Sequence, residues 1–311
     1  MISFVIPSYN RNAYLIQLLD SILAQDYKDV EIIVIDDNSS DNTPDTMRVY
    51  TQRYPFVRYF RNQQNMGCGY NRGFGFNQSN GQYVIFADDD DYYTDPLFLT
   101  KAVHLFDQYP ALAFVGANAD IKMEKNNIFR PFKMNVSGYL DKKDYLDNFN
   151  FKYDKPVSTF PTVFRRSALV DSQIGSMKMV NDAAIYMRSL LYGDVYLMNE
   201  SIGVYRVHDS NITKSLSSDF IIENMEEKKY INNQAVRLGI LTEPDWLKKQ
   251  WMLTVNYYFR SSKSTLGDLI KLVSWAKANG ISDGTPETVR HFISGNYKRF
   301  KAYVKSLLKP H

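Results

Sequence analysis

Aspartates are clustered at two places in the first hundred residues, and their type and spacing suggest metal chemistry. Asp36 and Asp37 directly follow one apolar run, and Asp88–Asp91 directly follow another. Carboxylates repel one another, so four in succession are best tolerated where a divalent cation such as Mg²⁺ or Mn²⁺ neutralises them. That cation would attract an anionic substrate. Solvated loop carboxylates or helix caps are the alternative, whereas an EF-hand is excluded because Tyr93 and Leu99 replace its Gly and Glu.

The elements around these clusters alternate between β-branched runs and helical patterns, which predicts an α/β protein with a mostly parallel sheet flanked by helices. Because the carboxyl ends of parallel strands meet at one edge, both acidic clusters should face the same crevice. The predicted strands are Ile2–Pro7, Val30–Ile35, Val57–Phe60 and Tyr83–Ala87. Helices are predicted from Asn12, before Gly81, and from Asp95-Pro96, where Pro suits the first turn.

The rest of the chain has a looser pattern followed by a helical one. Strands are predicted near Ala111–Ala117 and Asp194–Met198, with a helix near Asp182–Leu191. From about residue 218 the pattern is helical to the end, with starts at Ser218-Asp219, Glu243-Pro244 and Thr285-Pro286. We therefore expect a first domain at 1–215 and a helical C-terminal extension at 216–311.

Composition bounds the class of protein. The 311 residues are 44% hydrophobic and 23% charged, as in soluble globular proteins, and this excludes disorder. A net charge of +3 is too small to imply nucleic acid, so we expect no nucleic-acid partner. The single Cys68 excludes an internal disulfide and a Cys-cluster zinc site. With no apolar run of about 18 residues and no basic stretch before the first apolar segment, we expect a cytoplasmic protein without a signal peptide.

Three ordered segments resemble a known family. Phe4–Arg11 (FVIPSYNR), Glu31–Thr43 (EIIVIDDNSSDNT) and Phe86–Tyr92 (FADDDDY) look like the opening motifs of family 2 glycosyltransferases of GT-A fold. Between them, Asn65–Gly67 is similar to the family's Asn-x-Gly. Arg72–Gly75 is similar to its Arg-Asn-x-Gly, with Gly73 where Asn is usual.

Two later segments extend the resemblance to about residue 215. Asn181-Asp182 is similar to the family's Glu-Asp, with Asn181 replacing Glu, and Tyr205-Arg206-Val207-His208 is similar to its Tyr-Arg-x-His. The resemblance implies an inverting enzyme that moves a sugar from a nucleotide diphosphate sugar to a hydroxyl in one displacement. It implies Asp182 as the general base. A helix N-cap is the alternative role of Asp182.

The resemblance also implies a metal and a donor site. Mn²⁺ or Mg²⁺ would be held by Asp90 and His208 and would stabilise the departing diphosphate. The other implied donor-binding residues are Pro7, Tyr9, Asn10, Asp37, Arg72, Asp88, Asp89 and Arg206. Among these, Asp37 would read uracil, which favours UDP over dTDP, Pro7 and Tyr9 would form the wall of the base pocket, and Asp89 would lie near the ribose. A structural histidine and a solvated arginine are the alternatives for His208 and Arg72.

The sequence leaves open the identity of the sugar donor, the identity of the acceptor and two alternative functions. The implied acceptor is a hydroxyl of a glycan, of a lipid-linked glycan or of a protein-linked glycan. A non-catalytic nucleotide-sugar-binding module is one alternative function. A Rossmann oxidoreductase is less favoured, because Gly67, Gly69 and Gly73 have the wrong spacing and follow the third strand rather than the first.

The tail allows two interpretations. Residues Asn296–His311 combine five basic residues and no acidic one with apolar positions near helical spacing. Such a helix could lie on an anionic membrane, at the inner face, where each basic residue contributes on the order of 1 kcal/mol. It could instead pack on the catalytic domain or on a second subunit. Trp246 and Trp251 are expected to be core residues.

Overall fold

The computed structural model describes residues 1–177, 180–208, 216–241, 245–281 and 285–307, with side chains in the last range as far as Asn296. The chain forms two compact units, Met1–His208 and Asp209–His311. The boundary expected near residue 215 and the helix start at Glu243-Pro244 lie outside the described residues. The division into 1–215 and 216–311 therefore stays a prediction.

The first unit is built on one sheet. Its described strands run in the order β3-β2-β1-β4-β9-β6-β10-β5, with β7 beside β6 and β8 beside β10. Strands β1 to β4 are mutually parallel, as are β6 and β10, whereas β9 is antiparallel to both its neighbours. The bounds are β1 (Ile2–Ser8), β2 (Val30–Asp36), β3 (Val57–Arg61), β4 (Tyr83–Phe86), β5 (Tyr92–Tyr93), β6 (Leu112–Met123), β7 (Ile128–Arg130), β8 (Gly138–Leu140), β9 (Thr162–Arg165) and β10 (Asp194–Val207).

Helices cover both faces of this sheet, because β1 and β2 are apolar along nearly their whole length. The helices of this unit are α1 (Asn12–Leu23), α2 (Thr43–Arg53), α3 (Cys68–Gln78), α4 (Phe98–Gln108), α5 (Lys142–Asp147), α6 (Arg166–Asp171) and α7 (Asp182–Ser189). On one face, Leu15 and Leu19 of α1 share a core with Phe4 and Ile6.

On the opposite face, α3 lies unusually close to the sheet. A Cβ at Gly75 would stand 2.5 Å from Val5 Cγ1 and 2.6 Å from Ile35 Cδ1, so glycine is required for this approach. The close packing fixes the beginning of α3 beside the carboxyl ends of β1 and β2.

The predicted α/β class is confirmed, and the predicted strands β1 to β4 are present with ends shifted by at most one residue. Strands β6 and β10 are longer than predicted, and α4 begins at Phe98 rather than at Asp95-Pro96. The pattern did not predict α2 or the short strands β5, β7, β8 and β9.

The order of the strands brings the two acidic clusters to one edge. Strand β1 pairs with β2 on one side and with β4 on the other, so Asp37 and Asp88–Asp91 follow strands that flank β1. At this edge the Asp37 amide donates to the Ser8 carbonyl over 2.8 Å, and the Ala87 amide donates to the Val5 carbonyl over 3.1 Å.

The second unit is helical where it is described, as predicted. Its helices are α8 (Ser218–Arg237), α9 (Trp246–Ser261), α10 (Leu266–Ala278) and α11 (Thr285–Leu307). Trp246 and Trp251 are fully buried, which confirms them as core residues, and Trp251 stacks on Trp275 with ring centroids 5.2 Å apart. Among the described residues, none of the helices combines the length and apolar character needed to cross a bilayer.

Candidate functional site

The four aspartates after β4 are directed to four different sets of partners. Asp89, Asp90 and Asp91 are almost completely buried, whereas the side chain of Asp88 is 27% exposed. Burial raises the pKa of Asp89 to about 7, and the negative charge of Asp90 adds to that rise. A buried cluster of this kind is stable only where cations or hydrogen-bond donors surround it.

Arg72 joins Asp88 to Asp182. From the first turns of α3, its Nη2 donates to Asp88 Oδ1 over 2.7 Å, and its Nη1 donates to Asp182 Oδ1 over 2.9 Å and to the Val180 carbonyl over 3.2 Å. The Arg72 side chain is only 7% exposed. Burial acts to lower its pKa, but the carboxylate of Asp88 and other nearby groups hold that pKa well above the usual value. Arg72 is therefore an internal cation rather than a solvated helix residue.

Asp182 is the first residue of α7, and it does not cap the helix. The N-cap is Asn181, whose Oδ1 accepts a hydrogen bond from the Ala184 amide over 2.9 Å. The interpretation of Asp182 as a helix cap is thus wrong. Its carboxylate is held by Arg72 and its side chain is 30% exposed, so one face of the group stays accessible.

Asp89 and Asp90 share a cation from the loop after β1. Arg11 Nη1 lies 3.0 Å from Asp89 Oδ1 and 2.9 Å from Asp90 Oδ2. Ser8 also donates to Asp89 Oδ2 over 2.7 Å. His208 Nε2 lies 2.7 Å from the same Asp90 Oδ2. The structure therefore brings the two residues expected to hold a metal into direct contact.

Arg206 is enclosed by protein and is 2% exposed. Its guanidinium lies over two rings, 4.7 Å from the centroid of Tyr14 and 4.5 Å from that of Tyr92. It donates to the Asp90 carbonyl and to the Gln17 side chain. It also lies 2.9 Å from a Glu124 carboxylate oxygen. Contact between Arg206 and a donor diphosphate stays a prediction. Such a contact would require the guanidinium to give up some of its present partners for phosphate oxygens.

Asp91, which the motif analysis did not assign, anchors the end of the run. Its carboxylate accepts hydrogen bonds from the Arg206 amide over 3.1 Å and from the Ser158 hydroxyl over 3.4 Å, and it is fully buried. The Asp88–Asp91 segment is thus tied to β10 by the Asp91 side chain and the Asp90 carbonyl. No sequence signal indicated this role, because both partners lie far along the chain.

Asp37 is held by the loop before α3. Its Oδ1 accepts from the Met66 amide over 2.7 Å and from Asn62 Nδ2 over 2.8 Å, and its Oδ2 accepts from the Gly67 amide over 2.9 Å. A carboxylate offers about four acceptor positions. Three of these positions are used, so one remains for a hydrogen bond from a uracil ring. Recognition of uracil by Asp37 stays a prediction. The Gly67 amide, which a dinucleotide loop would offer to phosphate, is already used.

The loop after β1 carries the other residues expected at the base pocket. Pro7 is buried within β1 opposite Ile35, whereas the Tyr9 side chain is 47% exposed and available for stacking on a planar group. Asn10 adopts a left-handed conformation with φ of 53°, and its Oδ1 accepts from the Ser40 amide over 2.7 Å. Asn10 thus shapes the loop and links it to the segment after β2.

Two cations near the site were missed by the motif analysis. Arg11 lies within the FVIPSYNR segment but had no assigned role, although a basic residue at a strand end beside an acidic run was a usable signal. Lys155 lies near Asp182; burial lowers its pKa while the Asp182 carboxylate opposes that effect. Its ammonium donates to the Pro156 carbonyl over 2.9 Å. No spacing pattern pointed to Lys155.

Asp90 and His208 offer two groups that fit a divalent cation. One carboxylate oxygen of Asp90 and one imidazole nitrogen of His208 converge. A carboxylate suits both Mn²⁺ and Mg²⁺, whereas an imidazole nitrogen favours the transition metal Mn²⁺. Arg11 already places a positive charge against the same carboxylates. In the described part of the chain, no group of three or more His, Cys, Asp or Glu is arranged to hold a metal without other ligands.

Comparison with known proteins gives the family. The model of "Glycosyl transferase family 2" matches residues 3–172. A GalNAc(5)-diNAcBac-PP-undecaprenol beta-1,3-glucosyltransferase of Campylobacter jejuni is 30% identical over 208 residues, which cover 66% of this chain and 64% of that protein. The match therefore spans less than two thirds of this relative. The chain belongs to glycosyltransferase family 2.

Solved structures share the fold at low identity. S. aureus TarS in complex with UDP-GlcNAc matches with a TM-score of 0.68 at 17% identity, over 97% of this chain and 92% of that one. The mannosyltransferase PcManGT from Pyrobaculum calidifontis, in complex with GDP-Man and Mn²⁺, matches with a TM-score of 0.52 at 15% identity, over 96% and 86%. The fold is that of GT-A glycosyltransferases, and the oxidoreductase alternative is set aside.

Proposed function

We propose that this chain is an inverting glycosyltransferase that uses a UDP-sugar and glycosylates a hydroxyl of a lipid-linked or protein-linked glycan. The observation that carries the proposal is the bridge made by Arg72, which holds Asp182 and Asp88 with the same guanidinium. A candidate base and the first residue of the acidic run are thereby fixed next to each other. Simple binding of a nucleotide sugar does not require a base at this position.

The proposed reaction is a single displacement. Asp182 accepts the proton of the acceptor hydroxyl while that oxygen forms a bond to the anomeric carbon. The bond from this carbon to the diphosphate oxygen breaks, and the nucleoside diphosphate leaves with the bonding electrons. The anomeric configuration is thereby inverted. Arg72 keeps Asp182 oriented for the transfer of this proton.

The donor end of the site would be formed by the loop after β1 and by the acidic run. Asp90 and His208 would hold Mn²⁺ or Mg²⁺, which supplies positive charge to the departing diphosphate. The exposed Tyr9 ring suits stacking on a base, and Asp89 suits the ribose. Of the two structural neighbours, one is in complex with UDP-GlcNAc and the other with GDP-Man and Mn²⁺, which supports a nucleotide sugar as the donor class.

A thermal-shift screen tests the donor. UDP-, dTDP- and GDP-linked sugars are compared in Mn²⁺ and in EDTA, since a ligand at 100 times its Kd stabilises the folded state by about 2.7 kcal/mol. We expect UDP-sugars to raise Tm in Mn²⁺ and to have little effect in EDTA. Release of UDP, and the anomeric configuration of the product, are then followed by NMR. Binding without any turnover would favour the non-catalytic module, and absence of any shift would contradict the proposal.

The C-terminal tail is proposed as a peripheral membrane contact at the cytoplasmic face. Helix α11 extends to Leu307. The side chains of the five basic residues of the tail are not among those that the structure describes. The name of the C. jejuni relative specifies an undecaprenol-linked acceptor, which would place such an enzyme at a membrane. We expect salt-sensitive cosedimentation with anionic vesicles that is lost on deleting residues 296–311. No binding at low salt would favour packing of the tail on the catalytic domain or on a second subunit.

A further inference from the structure

A cation of the protein itself stands where two aspartates converge. Arg11 Nη1 lies within 3.0 Å of carboxylate oxygens of both Asp89 and Asp90. One of these oxygens, Asp90 Oδ2, is also 2.7 Å from His208 Nε2. Arg11 thus neutralises the carboxylate that is best placed, together with His208, to hold a divalent cation.

Arg11 and a divalent cation compete for this place. A guanidinium does not lose its proton in proteins, so its charge cannot be removed to make room. Two cations within about 4 Å of each other repel strongly in a partly buried site. Asp90 Oδ2 lies 2.9 Å from Arg11 Nη1 and 2.7 Å from His208 Nε2, so a cation bound by Asp90 and His208 would stand next to the guanidinium. Because of the charge repulsion, such a cation is expected to displace Arg11.

Arg11 is the most solvent-exposed of the three arginines of this site. Its side chain is 23% exposed, and it extends from the loop between β1 and α1. Arg206, in contrast, is 2% exposed and lies between two rings. Arg72, at 7% exposure, is tied to two carboxylates from other segments.

We infer that Arg11 is an exchangeable counter-ion, which pairs with Asp89 and Asp90 in the free protein and transfers to the diphosphate of the donor when a divalent cation replaces it. This inference rests on the proposed function. Phosphate oxygens are suitable new partners because the planar fork of a guanidinium matches them in two-point hydrogen bonds. Arg11 thereby neutralises first the two aspartates and then the leaving group.

The exchange couples the binding of metal and nucleotide. When Mn²⁺ binds alone, it must displace Arg11 into water, where the guanidinium gains no new partner. The affinity of the protein for Mn²⁺ alone is therefore low. When a nucleoside diphosphate is present, the displaced Arg11 has an anion to bind, and both ligands gain affinity. Couplings of this kind correspond to factors of about 5–150 in affinity, and the factor is the same from either side.

The test measures Mn²⁺ binding directly by electron paramagnetic resonance of the free ion, with and without UDP. Wild type, Arg11→Gln and a matched control, Arg48→Gln, are compared. Arg48 is 67% exposed on α2 and pairs with Asp45 of the same helix, so its substitution removes the same charge and leaves the pairing of Arg11 with Asp89 and Asp90 in place. Circular dichroism establishes that all three proteins are folded.

We expect Arg11→Gln to bind Mn²⁺ alone at least 5-fold more tightly than wild type, on the order of the lower limit for such couplings. The factor by which UDP tightens Mn²⁺ binding should be large in wild type and Arg48→Gln, and clearly smaller in Arg11→Gln, where only the direct attraction between Mn²⁺ and the diphosphate remains. Unchanged or weaker Mn²⁺ binding by Arg11→Gln would overturn the inference. If wild type binds Mn²⁺ but no nucleotide, the proposed donor is wrong, while the measurements with Mn²⁺ alone still decide whether Arg11 competes with the metal.

Discussion

Asp182→Asn is expected to reduce sugar transfer by about 10²–10⁴, the range typical of losing a general base, while donor and Mn²⁺ binding are preserved. The carboxamide cannot accept the proton of the acceptor hydroxyl. Its oxygen still accepts the hydrogen bond from Arg72, so the geometry on the donor side should persist. Single-turnover transfer and the Kd of UDP are the two measurements.

Asn181→Ala is the matched control, because Asn181 is the residue that caps α7. Loss of an N-cap costs about 1 kcal/mol of stability, and it should change the rate of transfer far less than Asp182→Asn does. If Asp182→Asn lost stability and donor binding together, with the rate falling only in proportion, the carboxylate would be structural and the assignment of the base would fail.

Asp90→Asn is expected to abolish measurable transfer, with a loss of about 10³-fold or more, because stabilisation of a leaving diphosphate by a metal contributes several kcal/mol. Asparagine keeps the size of the side chain but removes the charge that attracts the cation, and it also removes the ion pair with Arg11. Mn²⁺ binding and the rate of transfer should therefore fall together.

Asp88→Asn provides the comparison within the same run. Asp88 pairs with Arg72, which also holds Asp182. The ion pairs of Arg11 and His208 described above are made with Asp89 and Asp90 instead. Its substitution should therefore reduce Mn²⁺ binding much less than that of Asp90. Full activity of Asp90→Asn, or wild-type activity that is unaffected by EDTA, would contradict the metal assignment.

The parallel half of the sheet was predictable because its strands are buried on both faces. Such strands are continuous in Ile, Val and Phe, so β1, β2 and β4 stand out from the amphipathic helices between them. Helix α2 gave no comparable signal, since only Thr43 and Met47 are buried in it and its other side chains are polar or partly exposed. Its start depends on Asp41, which accepts from the Thr43 amide and hydroxyl.

The antiparallel insertion of β9 could not be predicted from local pattern. This strand has four residues and lies between β4 and β6, so its place depends on pairing partners about 50 to 80 residues earlier in the chain. The same limit applies to the site. Motifs identified Arg72, Asp90, Asp182 and His208 as chemical groups, but the pairing of Arg72 with Asp182 joins residues 110 positions apart.

The distribution of tryptophan separates the two units optically. All three tryptophans of the chain, Trp246, Trp251 and Trp275, belong to the helical unit, and the last two are stacked. The unit that holds the aspartate run contains tyrosine as its strongest chromophore. Tryptophan emission and the near-ultraviolet signal of the stacked indoles therefore report on the helices alone. A denaturation curve recorded from that emission describes the C-terminal unit, and a separate probe is needed to see the catalytic unit unfold.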